Sequence, residues 1–194
     1  MTQFGAVLDA CAIFPASLRD TLLRAVEANL YKLQITDEIL EEMRRNLVNK
    51  GMPEAKAQKL TNVIRKQFSK AFVTEHRPLT TLMPVNEKDK HVLAAAVASG
   101  ARVIVTQNLK DFPPHLLASF NIKALSPDEF LVRLWRLDSK RMIQIMIEQA
   151  SELRNPSRTV SEVLDALMLH APKFVSLVWQ KLKDEDAHPF IVIE

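Results

Sequence analysis

Four carboxylates, Asp9, Glu42, Asp89 and Asp111, are the residues through which this chain could do chemistry. Asp9 follows directly on the apolar run FGAVL, and Glu42 adjoins the apolar face of the helical stretch TDEILEEMRRNL. Asp89 stands at the start of a second helical run, and Asp111 lies just past the β-branched run from Arg102 to Thr106. Taken singly, each has a plain explanation: an aspartate opens a turn, and a glutamate on a helix is solvated. Gathered at one edge of a sheet, they would repel one another unless protonated or neutralised by a cation. An all-oxygen set suits Mg²⁺ or Mn²⁺ rather than zinc. Such a centre can hold a phosphodiester and activate water for in-line attack with no covalent enzyme intermediate. The other common routes lack their residues. The five histidines have no paired metal spacing, the three glycines form no phosphate loop, and no Gly-x-Ser-x-Gly elbow occurs.

The elements that must position these acids alternate between strand and helix. FGAVL is a first, central strand; Pro15 opens a helix carrying Leu18, Leu22, Leu23 and Val26; and Tyr31 to Ile35 is a second strand. The connection is long enough for a right-handed crossover, so these strands are expected to be parallel neighbours. Thr36 caps the next helix, with Ile39, Leu40, Met43 and Leu47 inward and Glu38 and Glu41 toward solvent. Pro53 opens a helix running to Phe72, on which Leu60, Val63, Ile64, Phe68 and Phe72 are expected to face the core.

The stretch from Asn86 to Phe112 reads as helix, tight turn, buried strand and polar loop. Gly100 can take the left-handed backbone that ends the helix. The strand that follows is almost continuously apolar, as in parallel sheets covered on both faces, and it delivers Thr106, Gln107, Asn108 and Asp111 to its end. Ile122 to Leu125 is a short last strand, and Ser126 caps the helix SPDEFLVRLW. The fold class is therefore α/β, a parallel sheet flanked by helices, with ligands expected where strands end and loops begin.

From Asp138 the pattern turns wholly helical, with three amphipathic segments and no strand signal before the final FIVI. This predicts an α/β domain over residues 1–137 and an all-α C-terminal extension over 138–194, which covers an apolar face or binds a partner. The 194 residues carry a net charge of +3, but residues 44–77 alone hold nine basic and two acidic side chains. Only that block would attract a polyanion by its own field. Arg44, Arg45, Lys56, Lys59, Arg65, Lys66 and Lys70 are its candidate phosphate contacts, although poor aromatic interleaving gives base stacking little support. Cys11 is the sole cysteine, which excludes an internal disulfide, and reads as a small core residue rather than a nucleophile. No leader and no apolar run of membrane-spanning length is found, which predicts a cytoplasmic protein with no membrane association.

The residues carry a family resemblance over roughly positions 4 to 135. VLDACAI resembles the opening strand of PIN-domain proteins with its metal-binding aspartate, and ILEEM resembles the helix bearing the family glutamate. DKHVLAAA resembles the segment with the third acid, and VIVTQNLKDF resembles the closing Thr-x-Asn/Asp signature. The small size and helical extension are similar to VapC-type toxins of bacterial toxin-antitoxin pairs. The resemblance implies a PIN-like sheet and a Mg²⁺- or Mn²⁺-dependent endoribonuclease. Its partners would be an RNA substrate, a cognate antitoxin protein and a second copy of the chain in a homodimer. It assigns Asp9, Glu42, Asp89 and Asp111 to the metal, with Glu41 in place of Glu42 if the register differs by one, and gives supporting hydrogen bonds to Thr106 and Asn108. Ala10 and Cys11 stand where the family has polar residues, which predicts weakened support around Asp9. Two other readings stay open: a PIN-fold regulatory module that has lost catalysis, and a PIN nuclease of RNA maturation.

Overall fold

The structure is a computed structural model, which describes residues 4–152 and 158–187. The final FIVI lies outside the described residues. The chain divides into two compact units, 1–127 and 128–194.

The first unit is built on four strands, β1 (Gly5–Leu8), β2 (Lys32–Gln34), β3 (Val103–Val105) and β4 (Lys123–Leu125). All pair in parallel, in the order β2-β1-β3-β4. Its helices are α1 (Ala10–Ile13), α2 (Ala16–Glu27), α3 (Asp37–Asn49), α4 (Glu54–Gln67), α5 (Arg77–Thr80), α6 (Lys90–Ser99) and α7 (Pro114–Leu117). Single 3₁₀ turns at Ser69–Ala71, Glu87–Asp89, Leu109–Asp111 and Ala118–Phe120 complete it.

β1 is central, with Ala6 opposite Leu33 on one side and Val103 on the other. Ala6, Val7, Leu8, Val103, Ile104 and Val105 are fully buried, as a sheet covered on both faces requires. Each such valine or leucine contributes about 1.5–3 kcal/mol. At the lower end of β1 a Cβ on Gly5 would stand 3.3 Å from the Ala101 Cα, so the missing side chain lets the approach to β3 pass close by. Since the chain runs from β1 to β2 on one side and returns to β3 on the other, the connections diverge above the β1/β3 pair. A crevice opens at such a switch point, outside the carboxyl ends of the strands.

The helices follow their caps. Thr36 accepts the Ile39 amide at 3.2 Å and starts α3, whose buried stripe is Ile39, Leu40, Met43 and Leu47. Gly100, at φ 67°, ends α6 in the left-handed region. Helix α4 differs from expectation. It stops at Gln67, and Phe72 instead forms a parallel bridge with Ile35 that prolongs the β2 edge. Its buried positions are Ala57, Thr61 and Ile64, spaced four and three apart, while Val63 is 49% exposed. The buried stripe is narrow, and Val63, one position away from Ile64, is turned to the shoulder.

The second unit is entirely helical among its described residues: most of α8 (Pro127–Leu137), then α9 (Ser139–Glu152), α10 (Val160–Met168) and α11 (Pro172–Ala187). Thr159 and Glu162 form a capping box at the start of α10, which packs on both α9 and α11. The Asp128 carboxylate accepts the Phe174 amide at 2.9 Å near the start of α11, and the Phe174 ring meets Trp135 edge-on. α8 thus groups with the C-terminal helices, with the division after Pro127 where the sequence pattern places it after 137. Among the described residues no helix is long and apolar enough to cross a membrane.

Candidate active site

Asp9 is the first residue beyond β1 and Thr106 the first beyond β3, so the sheet itself sets them side by side. The Asp9 amide donates to the Val105 carbonyl and the Thr106 amide to the Leu125 carbonyl, each at 3.0 Å. The fully buried Thr106 hydroxyl donates to Asp9 Oδ2 at 2.7 Å and accepts the Asn108 amide at 3.0 Å.

Cys11 adds a second donor to the same oxygen. Its thiol lies 3.0 Å from Asp9 Oδ2, and its sulfur accepts the Gln107 amide at 3.2 Å, while Gln107 Nε2 donates to the Cys11 carbonyl. The residue is half-buried rather than core, and it supports Asp9 where weakened support was expected. Burial first, and then the Asp9 charge, push the thiol up to about 12, which favours the neutral donor form. Beneath it, Arg19 is buried and donates to the carbonyls of Ile13 and Phe14 at 2.9 and 3.0 Å. These are groups that the four-residue α1 leaves unpaired at its C-terminus, so Arg19 fixes the turn that carries Asp9 and Cys11.

A crevice of about 570 Å³ opens above these residues, lined by Asp9, Cys11, Glu38, Glu42, Asp89, His91 and Asn108 and by Lys88. Helix α3 presents Glu38, Glu42, Arg45, Asn46 and Asn49 to it at helical spacing. Glu42 therefore lines the crevice, while Glu41 is exposed and paired with Arg44. Glu38, expected in solvent, is half-buried here and is held by His76 and Arg77. Burial pushes its carboxyl up, but the His76 hydrogen bond and the charges of His76, Arg77 and His91 prevail and hold it below the usual range.

Asp89 comes from the 3₁₀ turn before α6. It is buried, and its Oδ2 has no hydrogen-bond partner. Burial raises its carboxyl above the ordinary value; Asp111, Asp9 and Glu42 add to the rise and Lys88 opposes it. Asp111 is joined through Lys88, whose ammonium lies 2.9 Å from Asp111 Oδ2 and 3.8 Å from Asp89 Oδ2. His91 Nε2 stands 3.6 Å from Glu42 Oε2, and its Nδ1 is buried without a partner.

Among the described residues no three His, Cys, Asp or Glu side chains converge as they stand into a cage for an ion. Two observations nonetheless fit a hard divalent cation: the donors are all carboxylate oxygens, and one of them is buried and orphaned beside an ammonium. Lys88 and His91 carry no signal of a site in the sequence, and Cys11 and Glu38 read there as a core residue and a solvated one. The basic block is divided. Arg44 pairs with Glu41 and Glu54, and Arg65 with Asp37 while lying over the Phe72 ring. Lys56, Lys59, Lys66 and Lys70 are exposed on or just beyond α4, and Arg45 is exposed at the crevice.

A parallel sheet whose switch point gathers acids from three chain segments defines a class, and comparison with known families agrees with it. Residues 5–110 match the PIN domain, more than half of the chain, and the chain belongs to the PIN-domain family. Residues 127–179 match a second family, the VapC50 C-terminal domain. The chain is 39% identical over 106 residues to the "Putative ribonuclease VapC50" of Mycobacterium tuberculosis, an alignment covering 55% of this chain and 63% of that protein. It thus spans less than two thirds of the relative's length. No solved structure matches the chain.

Proposed function

We propose that this protein is a Mg²⁺- or Mn²⁺-dependent endoribonuclease, the toxin of a toxin-antitoxin pair, acting on cytoplasmic RNA. The observation that carries the reading is the crevice lined by Asp9, Glu42 and Asp89, with the buried Asp89 Oδ2 unpartnered and Asp111 reached through Lys88. The name of the mycobacterial relative supports the substrate class. Asp9 and Asp89 would hold the ion, and Glu42 and Asp111 would complete or orient its shell. When bound, such an ion supplies Lewis acidity toward the phosphodiester, lowers the pKa of water and offsets charge on the departing oxygen.

The chain's own residues do the rest. Thr106 and Cys11 hold one oxygen of Asp9, which leaves Oδ1 for a ligand. Asn108 and Arg45, which both line the crevice, would contact phosphates of the bound strand. The exposed lysines of α4 draw the polyanion in, so affinity falls as salt rises. The helical unit would cover an apolar face or offer the surface that the antitoxin binds.

RNA cleavage by the full chain in Mg²⁺ or Mn²⁺, compared with Asp89→Asn, tests the reading. The expected loss is at least about a hundredfold, and equal rates would overturn it. Undiminished RNA binding in chelator, with no thermal stabilisation by Mn²⁺, would instead favour a PIN-fold module that has lost catalysis.

A further inference from the structure

Lys88 stands apart from the acids around it. Every other charged group directed at Asp89 from Asp9, Glu42 and Asp111 is negative, whereas the Lys88 ammonium reaches two of the acids at once, 2.9 Å from Asp111 Oδ2 and 3.8 Å from Asp89 Oδ2. It does so from the residue immediately before Asp89, on a stem that is 66% exposed. The backbone therefore fixes where the stem starts, while the stem itself lies mostly in solvent. Asn86 approaches the other Asp111 oxygen at 3.5 Å, so Asp111 is supported on both sides from this one turn.

Two facts show that the ammonium is a partial substitute rather than a structural partner. A lysine head can donate three hydrogen bonds, yet Asp89 Oδ2 lies beyond hydrogen-bond reach of it and remains buried without a donor. Among the described residues no three His, Cys, Asp or Glu side chains form a group that could hold an ion as they stand, and the ammonium lies between two of the acids.

We infer that Lys88 is a tethered counter-ion, which occupies the cation position between Asp111 and Asp89 and must swing aside for a divalent ion to enter. This rests on the metal-site reading above and goes beyond it. The lysine makes the acid cluster tolerable without metal and sets the ion concentration at which the site loads. Once displaced, its charge stays at the rim of the crevice, where an incoming phosphodiester can use it.

The test is Mn²⁺ affinity, read from the spin resonance of free Mn²⁺ during titration of the full chain with no RNA present. Lys88→Met should bind Mn²⁺ roughly two- to fivefold more tightly than the parent, the range an exposed ion pair is worth. Lys88→Arg, which keeps the charge, should retain the parent affinity. Lys110→Met, which removes an exposed lysine beside Asp111 in sequence, should retain it too. Unchanged or weaker binding by Lys88→Met, or an equal gain in Lys110→Met, overturns the inference while leaving the metal site standing. Absence of Mn²⁺ binding by the parent chain would remove both.

Discussion

Replacing Thr106 by valine keeps the shape of the side chain and removes one oxygen. That oxygen is fully buried, donates to Asp9 Oδ2 at 2.7 Å and accepts the Asn108 amide at 3.0 Å. A hydrogen bond to a charged group is worth about 1.5–3 kcal/mol and one between neutral groups about 1 kcal/mol. Asn108 is exposed, so water recovers part of the second. The expected destabilisation is about 2–4 kcal/mol, or roughly 4–16 °C in Tm for a chain of this size. Thr106→Ser retains the hydroxyl and should lose much less. The measurement is urea unfolding by circular dichroism of the three proteins in chelator, with RNA cleavage in Mn²⁺ alongside. Cleavage by Thr106→Val should fall further than its loss of fold explains, because Asp9 is then held by Cys11 alone. If Thr106→Val unfolds within about 0.5 kcal/mol of the parent, the hydroxyl does not anchor Asp9 and the account of how β3 positions β1's acid fails.

Arg19→Met removes both hydrogen bonds to the end of α1 and should cost about 1.5–3 kcal/mol by the same unfolding measurement; a neutral effect would show that α1 needs no such support. Gly100→Ala meets no neighbouring atom but must adopt φ 67°, so it should cost about 1–2 kcal/mol, with Gly100→Asn cheaper; equal costs would refute a backbone origin. For Glu38 the folded carboxyl lies below its ordinary value of 4.5. Its contribution is therefore present above that value and lost as pH falls through the depressed one. Glu38→Gln should flatten the acid limb of a Tm-against-pH profile, and a superimposable profile would count against the His76 and Arg77 contacts.

The architecture was readable because its signals are local. Runs such as FGAVL and RVIVT announce buried strands, Gly100 announces a helix end, and acids placed after strands announce the crevice. What the sequence hides depends on partners distant in the chain. Cys11 has no local base or cation, so only the return of β3, bringing Thr106 and Gln107, reveals it as a support for Asp9. Glu38 was set in solvent by helical phase, but residues 76 and 77 come round to hold it. Lys88 reads as one more surface charge until Asp111 is seen beside it. The end of α4 was missed because LTNVIRKQFSKAF keeps a helical apolar period past the point where Phe72 turns to pair with Ile35.

The bond between Thr106 and Asp9 joins residues 97 positions apart. At about 5–20 residues per second of synthesis, roughly 5–20 seconds separate their additions to the growing chain. Until β3 has left the exit tunnel, β1 lacks its neighbour and Asp9 its anchor. A nascent fragment therefore lacks the crevice, and the ribosome that makes this protein completes most of the first unit before Asp9 and Thr106 can meet.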